Sequence, residues 1–256
     1  MDRNDIRHIA DLLLEARSDG RRAQLPEREV IKDEEGAYAV QDAVVRSLGT
    51  IGGWKVGAAS PEATPLCAPL PRSSIRQGRT RMAAGQSRDV AVEAEIAFRI
   101  GRDLPPRERP YERQEVEQAI AAAMPAIEIV DSRWQGWPDI PPLLHLADHQ
   151  ANVALICGRE TRNWQQLALT RQPVTLTIDG NVVVEQEGGN KAGDLIRLVT
   201  WLANHAAARC GGLRQGDVVT TGSCTGVEFA SSGSTVMAEF RDLGFADVSL
   251  AQTDRI

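Results

Sequence analysis

The stretch DVAVEAEIAFRIGRDL, residues 89–104, alternates apolar and polar side chains over most of its length. The residues of one face are all apolar: Val92, Ala94, Ile96, Phe98 and Ile100. The other face carries two carboxylates, Glu93 and Glu95, followed by Ala97 and Arg99. This alternation predicts a half-buried β-strand. Such a strand presents two glutamates side by side, where they are either solvated, with Arg99 balancing their charge, or hold a ligand.

A third glutamate favours the ligand. Glu93 and Glu95 are two positions apart, roughly 6.6 Å along a strand, so both can approach one cation. Glu128 lies in MPAIEIVDSRW, residues 124–134, between apolar neighbours. Glutamate is almost never fully buried unless it is paired or bound to a metal. Mg²⁺ or Mn²⁺ takes about six oxygen ligands, so three carboxylates leave room for a water and a chelating substrate.

A lysine is the candidate for a compensating positive charge. Three carboxylates around a dication leave the site anionic, so an acidic substrate requires a cation nearby. Lys55 stands in GGWKVGAAS, residues 52–60, between Trp54 and Val56. This apolar, glycine-bounded setting indicates a lysine held in a pocket, although a surface lysine is the alternative reading.

Composition narrows the class of protein. The chain has 256 residues and a formal net charge of −6, which argues against generic binding of nucleic acid or anionic membranes. Its four cysteines form no CxxC pair, which suits a reducing cytoplasm better than a disulfide scaffold or a zinc site. The N-terminus is charged and resembles an amphipathic helix, not a signal peptide, and no apolar run approaches the roughly 20 residues of a membrane span. We therefore expect a cytoplasmic protein.

The remaining patterns predict an α+β fold. We expect a helical N-terminal part over residues 1–80 and a β-rich, metal-binding catalytic domain over residues 81–256. Helical spacing or capping predicts four helices: near the N-terminus, from Asp33 to Gly49, from Pro110 to Met124, and over residues 194–210. Asp179-Gly180 predicts a two-residue hairpin turn within PVTLTIDGNVVVEQ. The segment over residues 68–89 is predicted to be an extended loop.

Six short motifs, in order, resemble a known family. They are AYAVQ (37–41), GWKVG (53–57), EAEIAF (93–98), AIEIVDSR (126–133), LADHQANVALICG (146–158) and LRQGDVVTTGSCTG (213–226). Together they resemble the 2-keto-4-pentenoate hydratase family, in the hydratase/decarboxylase branch of the fumarylacetoacetase superfamily. The resemblance runs from about residue 37 to 250.

The resemblance implies a fold and a site. The fold would be a fumarylacetoacetase-like mixed β-sandwich or roll with helices around it. Glu93, Glu95 and Glu128 would bind Mg²⁺ or Mn²⁺. Lys55 would be a catalytic, substrate-contacting residue, and Ser223 would lie close to the bound substrate.

The resemblance also implies an activity, with alternatives. The leading expectation is a hydratase that adds water to a 2-hydroxy-2,4-dienoate to give a 4-hydroxy-2-oxo acid in aromatic catabolism. A 4-oxalocrotonate-type decarboxylase and a non-catalytic partner of such an enzyme remain open. Hydrolysis of an acylpyruvate ranks lower, because the histidines at positions 8, 145, 149 and 205 do not supply the required His–Glu dyad. We further expect a small-molecule 2-oxo or 2-hydroxydienoic acid substrate and a homo-oligomer, and the resemblance implies association with a sister enzyme.

The chain departs from the family pattern in one loop. Many members carry acidic residues after the lysine motif, but no Asp or Glu occurs here between Glu62 and Asp89. Five arginines stand in that interval instead, at positions 72, 76, 79, 81 and 88. They form either a basic surface loop or a site for a second substrate carboxylate. The general acid–base group of a hydratase is therefore in doubt.

Three further motifs are tempting, but we do not interpret them as sites. The H-x-x-D-H spacing of His145, Asp148 and His149 differs from that of zinc proteases, and Asp148 is predicted to make structural hydrogen bonds. Cys224 has no signalled histidine partner for a nucleophile. The glycine-rich EGGNKAG, residues 187–193, lacks a phosphate-loop pattern.

Overall fold

The computed structural model describes residues 1–27, 29–83 and 89–251. Within these ranges the helices are α1 (Arg3–Asp19), α2 (Glu34–Leu48), α3 (Arg113–Ala119), α4 (Pro142–Ala147) and α5 (Leu195–Arg209). The strands of the same ranges are β1 (Ile51–Gly57), β2 (Leu66–Pro71), β3 (Ile75–Gln77), β4 (Thr80–Ala83), β5 (Asp89–Ile100), β6 (Ile120–Val130), β7 (Asn152–Cys157), β8 (Pro173–Ile178), β9 (Asn181–Glu187), β10 (Val218–Ser223), β11 (Glu228–Ser231), β12 (Thr235–Phe240) and β13 (Gly244–Ala251).

The strands form two sheets. The larger sheet has the order β2-β1-β10-β5-β6-β7-β3, with β11 pairing onto β5, and the smaller has the order β4-β13-β12-β8-β9. Strands β12 and β13 of the smaller sheet contact β6 of the larger one. Apolar residues of both sheets and of the helices belong to one core cluster. The α+β fold that the sequence predicted is confirmed, and the two packed sheets agree with the mixed sandwich or roll that the resemblance implied.

The larger sheet curls into a roll. Its two outermost strands, β2 and β3, are joined by the single 3₁₀ turn Arg72–Ser74, so the two ends of the strand order lie close together. A separate buried cluster draws apolar side chains from strands all around this order: Leu70, Ala97, Met124, Ala126, Leu155, Cys157 and Val218. We interpret this cluster as the filling of the roll. The residues of β5 that share the face of Ala97 therefore point into the roll.

Strand β5 is more buried than the alternation predicted. It pairs with β10, β11 and β6 and is central to the sheet. Its apolar face is buried as expected, but Ala97 and Glu95 on the other face are buried too, and Glu93 and Arg99 are half-buried. The prediction of a half-buried strand was wrong on this point because the second face lines the roll and not the solvent.

Two local predictions were also wrong. The helix predicted from Pro110 to Met124 ends at Ala119, and Ile120 begins β6, in which Met124 pairs with Ala97. Alanine favours helices, but this preference is weak and the long pairing with β5 overrides it. The segment predicted as a loop over residues 68–89 contains β3 and β4 and overlaps the ends of β2 and β5, while residues 84–88 lie outside the described ranges.

Other local predictions are confirmed. The Asp33 side chain caps α2 by accepting a hydrogen bond from Gly36 N at 2.8 Å. Asp179 and Gly180 have positive φ angles of 51° and 80° and join β8 to β9, as the hairpin turn requires. The division at residue 80 stays a prediction; β1 pairs with β10 and β3 pairs with β7 across it. None of the helices in the described ranges is long and apolar enough to cross a membrane.

Candidate metal centre

Three glutamates converge inside the roll. Glu93 and Glu95 lie on β5, and Glu128 lies on β6 directly opposite Glu93 in the antiparallel register. One carboxylate oxygen from each lies within 4.8 Å of the others. Glu95 and Glu128 are buried, and Glu93 is half-buried. The structure thus brings together the three glutamates that the resemblance had implied as metal ligands.

Each of the two buried glutamates has one carboxylate oxygen that accepts hydrogen bonds and one that, among the described residues, accepts none. Glu95 Oε2 accepts hydrogen bonds from Thr220 Oγ1 and from Gly222 N, the latter at 3.0 Å. Glu128 Oε1 accepts from Lys55 Nζ at 2.8 Å and from Asn152 Nδ2 at 2.7 Å. The other oxygens, Glu95 Oε1 and Glu128 Oε2, are buried and have no hydrogen-bond partner in the described part of the chain.

These free oxygens fit a divalent cation. Buried polar atoms are nearly always satisfied, so unsatisfied carboxylate oxygens in one cluster need an explanation. Hard cations such as Mg²⁺ and Mn²⁺ prefer carboxylate oxygens, and outer hydrogen bonds of the kind made here orient such ligands. Glu93, Glu95 and Glu128 would hold the ion.

The carboxyl groups of Glu93 and Glu95 have raised pKa values when no cation is bound. Burial is the largest cause and raises the pKa of Glu95 well above its ordinary value, and the neighbouring charge of Glu128 adds to it. The same two causes raise the pKa of Glu93 to about 7. A dication would favour the ionised carboxylates, so its binding would displace protons.

Lys55 is held as an ammonium group. Burial lowers its pKa, but the charges of the three glutamates raise it by more, so its pKa lies above the ordinary value. Besides its bond to Glu128, Lys55 Nζ donates to Gln150 O at 3.1 Å. A group that stays protonated at neutral pH can pair with a substrate carboxylate or release a proton to a developing carbanion.

A buried ion pair shapes the backbone beside Lys55. His149, Gln150 and Ala151 have consecutive positive φ angles of 53°, 50° and 60°. Such a left-handed run is strained for residues other than glycine and persists only when its surroundings fix it. Asp148 is fully buried and accepts from Arg133 Nε at 2.5 Å, and Arg133 also donates to Asn152 O at 2.8 Å. The pair thus holds the chain on both sides of the run.

Two of the three motifs set aside in the sequence analysis prove structural. Asp148 makes the hydrogen bonds expected of it, and α4 ends at Ala147, so His145 and His149 do not share one helical face. Burial lowers the pKa of both histidines. Burial raises the pKa of the Cys224 thiol to about 12, which leaves no thiolate at neutral pH. All four cysteines lie in the described ranges and are free thiols.

Ser223 lies at the end of β10, opposite Glu95 in the register. Its hydroxyl donates to Gly226 O at 2.9 Å, within the turn that leads away from the strand. The family's Gly-Ser turn therefore lies beside the glutamate cluster, next to the Gly222 N–H that binds Glu95.

Two of the arginines that the sequence raised for consideration have acidic partners away from the glutamate cluster. Arg99 shares the face of Glu95 but pairs with Glu160 at 2.8 Å, so it does not balance the glutamates. Arg79 pairs with Asp247 at 2.6 Å. Burial raises the pKa of Asp217, which precedes β10 at the end away from Ser223, and the nearby charge of Arg72 opposes this shift. Arg76 and Arg81 are exposed on β3 and β4, and Arg88 lies outside the described residues.

Sequence reasoning missed the residues that hold the glutamates. Thr220, Gly222 and Asn152 had no assigned role, although all three stand within the recognised motifs. Their roles depend on which strand neighbours which. The only available signal was the proximity of Thr220 and Gly222 to Ser223 in the TTGS sequence.

Comparisons with known proteins agree with this geometry. Residues 37–250 match the family described as fumarylacetoacetate (FAA) hydrolase, C-terminal. The chain is 31% identical over 252 residues to 2-keto-4-pentenoate hydratase 2 of Dechloromonas aromatica, covering 92% of this chain and 93% of that one. It is 29% identical to the 2-keto-4-pentenoate hydratase of Paraburkholderia phymatum, covering 98% and 99%. The fold matches 4-oxalocrotonate decarboxylase of Pseudomonas putida G7, solved with magnesium and adipate, with a TM-score of 0.84, 21% identity and 98% of each chain covered.

Proposed function

The chain belongs to the fumarylacetoacetate hydrolase family, and on that premise we propose that it is a divalent-metal-dependent hydratase of a 2-hydroxy-2,4-dienoate. It would yield a 4-hydroxy-2-oxo acid in aromatic catabolism, as the names of its relatives suggest. One observation carries the proposal. Within the described part of the chain, Glu95 and Glu128 each have one carboxylate oxygen fixed by protein donors and one without a hydrogen-bond partner, beside Glu93.

The site's own residues have defined tasks in this proposal. A bound Mg²⁺ or Mn²⁺ would supply Lewis-acid stabilisation of the negative charge that develops on a 2-oxo acid. Lys55 Nζ, protonated and 2.8 Å from Glu128, would pair with the substrate carboxylate or deliver a proton to its carbon chain. Ser223, at the end of β10 beside Glu95, would contact the substrate. The unreactive Cys224 and the buried ring of His149 take no part.

A 4-oxalocrotonate-type decarboxylase is the second candidate. The sequence between Glu62 and Asp89 contains no Asp or Glu, so the acid–base group expected there in a hydratase has no counterpart. Decarboxylation breaks a C–C bond and releases CO₂, which requires an electron sink more than an activated water. A non-catalytic partner of such an enzyme is the third reading.

An ultraviolet assay with Mg²⁺ and then Mn²⁺ separates these functions. 2-Hydroxypenta-2,4-dienoate and 4-oxalocrotonate are offered separately, and products are identified by mass. Loss of the dienoate chromophore with a gain of one water supports the hydratase, and CO₂ from oxalocrotonate supports the decarboxylase. Metal binding with no turnover of either supports the non-catalytic partner.

Two variants test the metal site in the same assay. Glu93→Gln removes one ligand and should abolish turnover, whereas Glu185→Gln, an exposed glutamate on β9, should leave it unchanged. Turnover that survives Glu93→Gln contradicts the assignment of the glutamates.

We further propose a cytoplasmic homo-oligomer. The four free cysteines are compatible with a reducing compartment. Sedimentation of the purified chain tests the oligomeric state, and co-purification with the sister enzyme of its pathway tests their association.

A further inference from the structure

A small apolar cluster lies next to the glutamates, on the same face of the larger sheet. Its members are Ala91, Val130 and Ala151, with the partly buried Trp137 packed against them. The cluster is separate from the main core and from the filling of the roll. Ala91 and Val130 are directly paired, two positions beyond the paired Glu93 and Glu128 on the same strands. Because side chains two positions apart on a strand share a face, the cluster adjoins the candidate metal centre.

An aromatic side chain extends this cluster toward the solvent. Phe229 on β11 pairs directly with Ala91, so the two side chains lie on the same face of the sheet. The ring centroids of Phe229 and Trp137 are 6.2 Å apart and the ring planes are inclined at 60°, an edge-to-face arrangement. We refer to Ala91, Val130, Ala151, Trp137 and Phe229 together as the apolar wall.

The apolar wall lies toward the open end of the roll. At the deeper positions of the same face of β5, Glu95 and Ala97 are buried, and the filling of the roll occupies that side. Phe229, in contrast, is 56% exposed, and its neighbour Val227 is exposed as well. Exposed apolar surface beside a few convergent polar groups is typical of a ligand-binding cleft. A substrate held at the glutamates therefore extends outward, along the apolar wall.

The charged residues next to the wall in the sequence do not contribute charge to it. Asp131, which follows Val130, accepts a hydrogen bond from Arg22 Nη2 at 2.5 Å. Glu228, which precedes Phe229, pairs with Val92 and so points to the opposite face of the sheet. The wall itself thus offers hydrocarbon and aromatic surface to whatever leaves the metal centre.

The distance from the glutamates to the wall sets the size of the group that could cover it. Two positions along a strand span roughly 6.6 Å. In 2-hydroxypenta-2,4-dienoate, the carboxylate and the C2 oxygen would be taken by the metal centre and Lys55, which leaves three carbons to extend outward. Three carbons in an extended chain span less than this distance, even with a methyl substituent at the end. A hydrocarbon group larger than methyl is therefore needed to cover the wall.

We infer that the apolar wall binds a hydrocarbon group larger than methyl at the distal end of the substrate, with Phe229 as the specificity-determining residue. The inference rests on the proposed function, since the 2-oxo acid end must occupy the glutamate centre and Lys55. The preferred substrate is then a 2-hydroxydienoate extended by an alkyl or aryl group. A distal carboxylate, as in 4-oxalocrotonate, would lose hydration against the wall without a compensating partner there, which favours the hydratase over the decarboxylase.

Calorimetry with saturated 2-oxo acids tests the apolar wall. 2-Oxobutanoate, 2-oxooctanoate and 2-oxoadipate share the 2-oxo acid end and lack the diene, so they bind without being hydrated. With the Mg²⁺-loaded protein, 2-oxooctanoate should bind at least about tenfold more tightly than 2-oxobutanoate, because each methylene that leaves water contributes roughly a factor of two to four. 2-Oxoadipate should bind no more tightly than 2-oxobutanoate, since its distal carboxylate gains nothing from the wall.

Variants of Phe229 should act on the long-chain acid only. Phe229→Ala should remove most of the preference for 2-oxooctanoate and leave 2-oxobutanoate binding unchanged, and Phe229→Leu should retain part of the preference. Phe229→Lys should turn the preference toward 2-oxoadipate. Phe245→Ala is the matched control, because Phe245 is 52% exposed but lies beside Gly158, at the end of β7 away from the wall. This control should leave all three dissociation constants unchanged.

The possible outcomes separate the wall from the metal centre. Equal affinities for 2-oxobutanoate and 2-oxooctanoate, or a preference that survives Phe229→Ala, overturn the wall, while Mg²⁺-dependent binding of both acids upholds the centre. If neither acid binds with Mg²⁺, the proposed function fails and the wall with it. Sedimentation of Phe229→Ala completes the test. Dissociation of an oligomer with an unchanged ligand preference would identify a second copy of the chain as the occupant of the wall and overturn the inference.

Discussion

Glu93 and Glu128 occupy directly opposed positions on β5 and β6. Like charges directly opposite each other in an antiparallel pair destabilise a sheet. Here the pair lies inside a roll, where water can compensate less than on a surface. Lys55, 2.8 Å from Glu128, offsets one of the charges. The other charges of the cluster, on Glu93 and Glu95, are left for a cation to balance.

Substitutions of the metal ligand Glu93 and of Lys55 should have different effects on Mg²⁺ binding and on turnover. Glu93→Gln should weaken Mg²⁺ binding by more than the roughly 10–100-fold typical of a lost outer contact, because it removes a ligand. Lys55→Met should reduce turnover by about 10²–10⁴-fold but should not weaken Mg²⁺ binding, because it removes a competing positive charge. Calorimetry with Mg²⁺ and the ultraviolet assay measure the two effects. Equal loss of metal by both variants would contradict these roles.

The hydroxyl of Thr220 should tune metal affinity. Thr220→Val keeps the shape but leaves Glu95 Oε2 with only the Gly222 N–H, and should weaken Mg²⁺ binding by roughly 10–100-fold. The neighbour Thr221 is equally buried and donates to Ile96 O at 2.7 Å. Thr221→Val should therefore lower the free energy of unfolding by about 1 kcal/mol and leave the metal affinity intact. Weaker binding in both variants would show a general loss of packing.

Stabilisation by Mg²⁺ should increase with pH. The pKa of Glu93 is raised from its ordinary value of 4.5 to about 7, so the metal-free fold favours the protonated carboxyl. The contribution of the Glu93 carboxyl to the stability of the metal-free fold is therefore present at low pH and is lost as the pH rises through about 7. Metal binding requires the ionised form and is favoured above that pH.

The shift in melting temperature caused by Mg²⁺, relative to EDTA, should thus be larger at pH 8 than at pH 6. Taking the difference between the two samples cancels titrations that do not involve the metal, including those of His145 and His149. Glu93→Gln should flatten the dependence. An equal shift in melting temperature at pH 6 and pH 8 would contradict the predicted link between metal binding and the ionisation of Glu93.

The buried ion pair of Arg133 and Asp148 should be needed for stability and for the position of Lys55. Asp148→Asn leaves the buried Arg133 without its counter-charge and should lower the free energy of unfolding by about 3 kcal/mol or more. Asp11→Asn breaks an exposed pair with Arg7 on α1 and should cost well under about 1 kcal/mol. Denaturant titrations measure both.

The same variant should also affect activity. Asp148→Asn should reduce turnover, since the backbone that it fixes includes Gln150 O, a partner of Lys55. If the variant is destabilised but folded and fully active at low temperature, the left-handed run does not position Lys55.

Local sequence patterns correctly predicted those structural features that are determined by residues close together in the chain. The Asp33 cap, the Asp179-Gly180 turn and the period of β5 each depend on neighbouring residues, and all are found. The helix predicted through Met124 failed because its alternative, a long pairing with β5, depends on residues far away along the chain. Propensity decides a segment only where tertiary contacts do not compete.

The candidate site was predictable in part. Glu93, Glu95, Glu128 and Lys55 were picked out by the setting of each in its own segment. The residues that hydrogen-bond to these side chains could not be picked out in this way. The Thr220 bond to Glu95, for example, depends on β10 lying beside β5. Burial of the second face of β5 likewise depends on the closure of the roll, which no single strand specifies.

The place of β10 in the sheet has a consequence for biosynthesis. This strand inserts between β1 and β5, although it follows both by more than a hundred residues. On the ribosome, the three glutamates emerge long before Thr220 and Gly222, which orient Glu95. Pairings between such distant segments form slowly. Metal loading of the centre is therefore expected to be a late, post-translational event, after the C-terminal strands have joined the sheet.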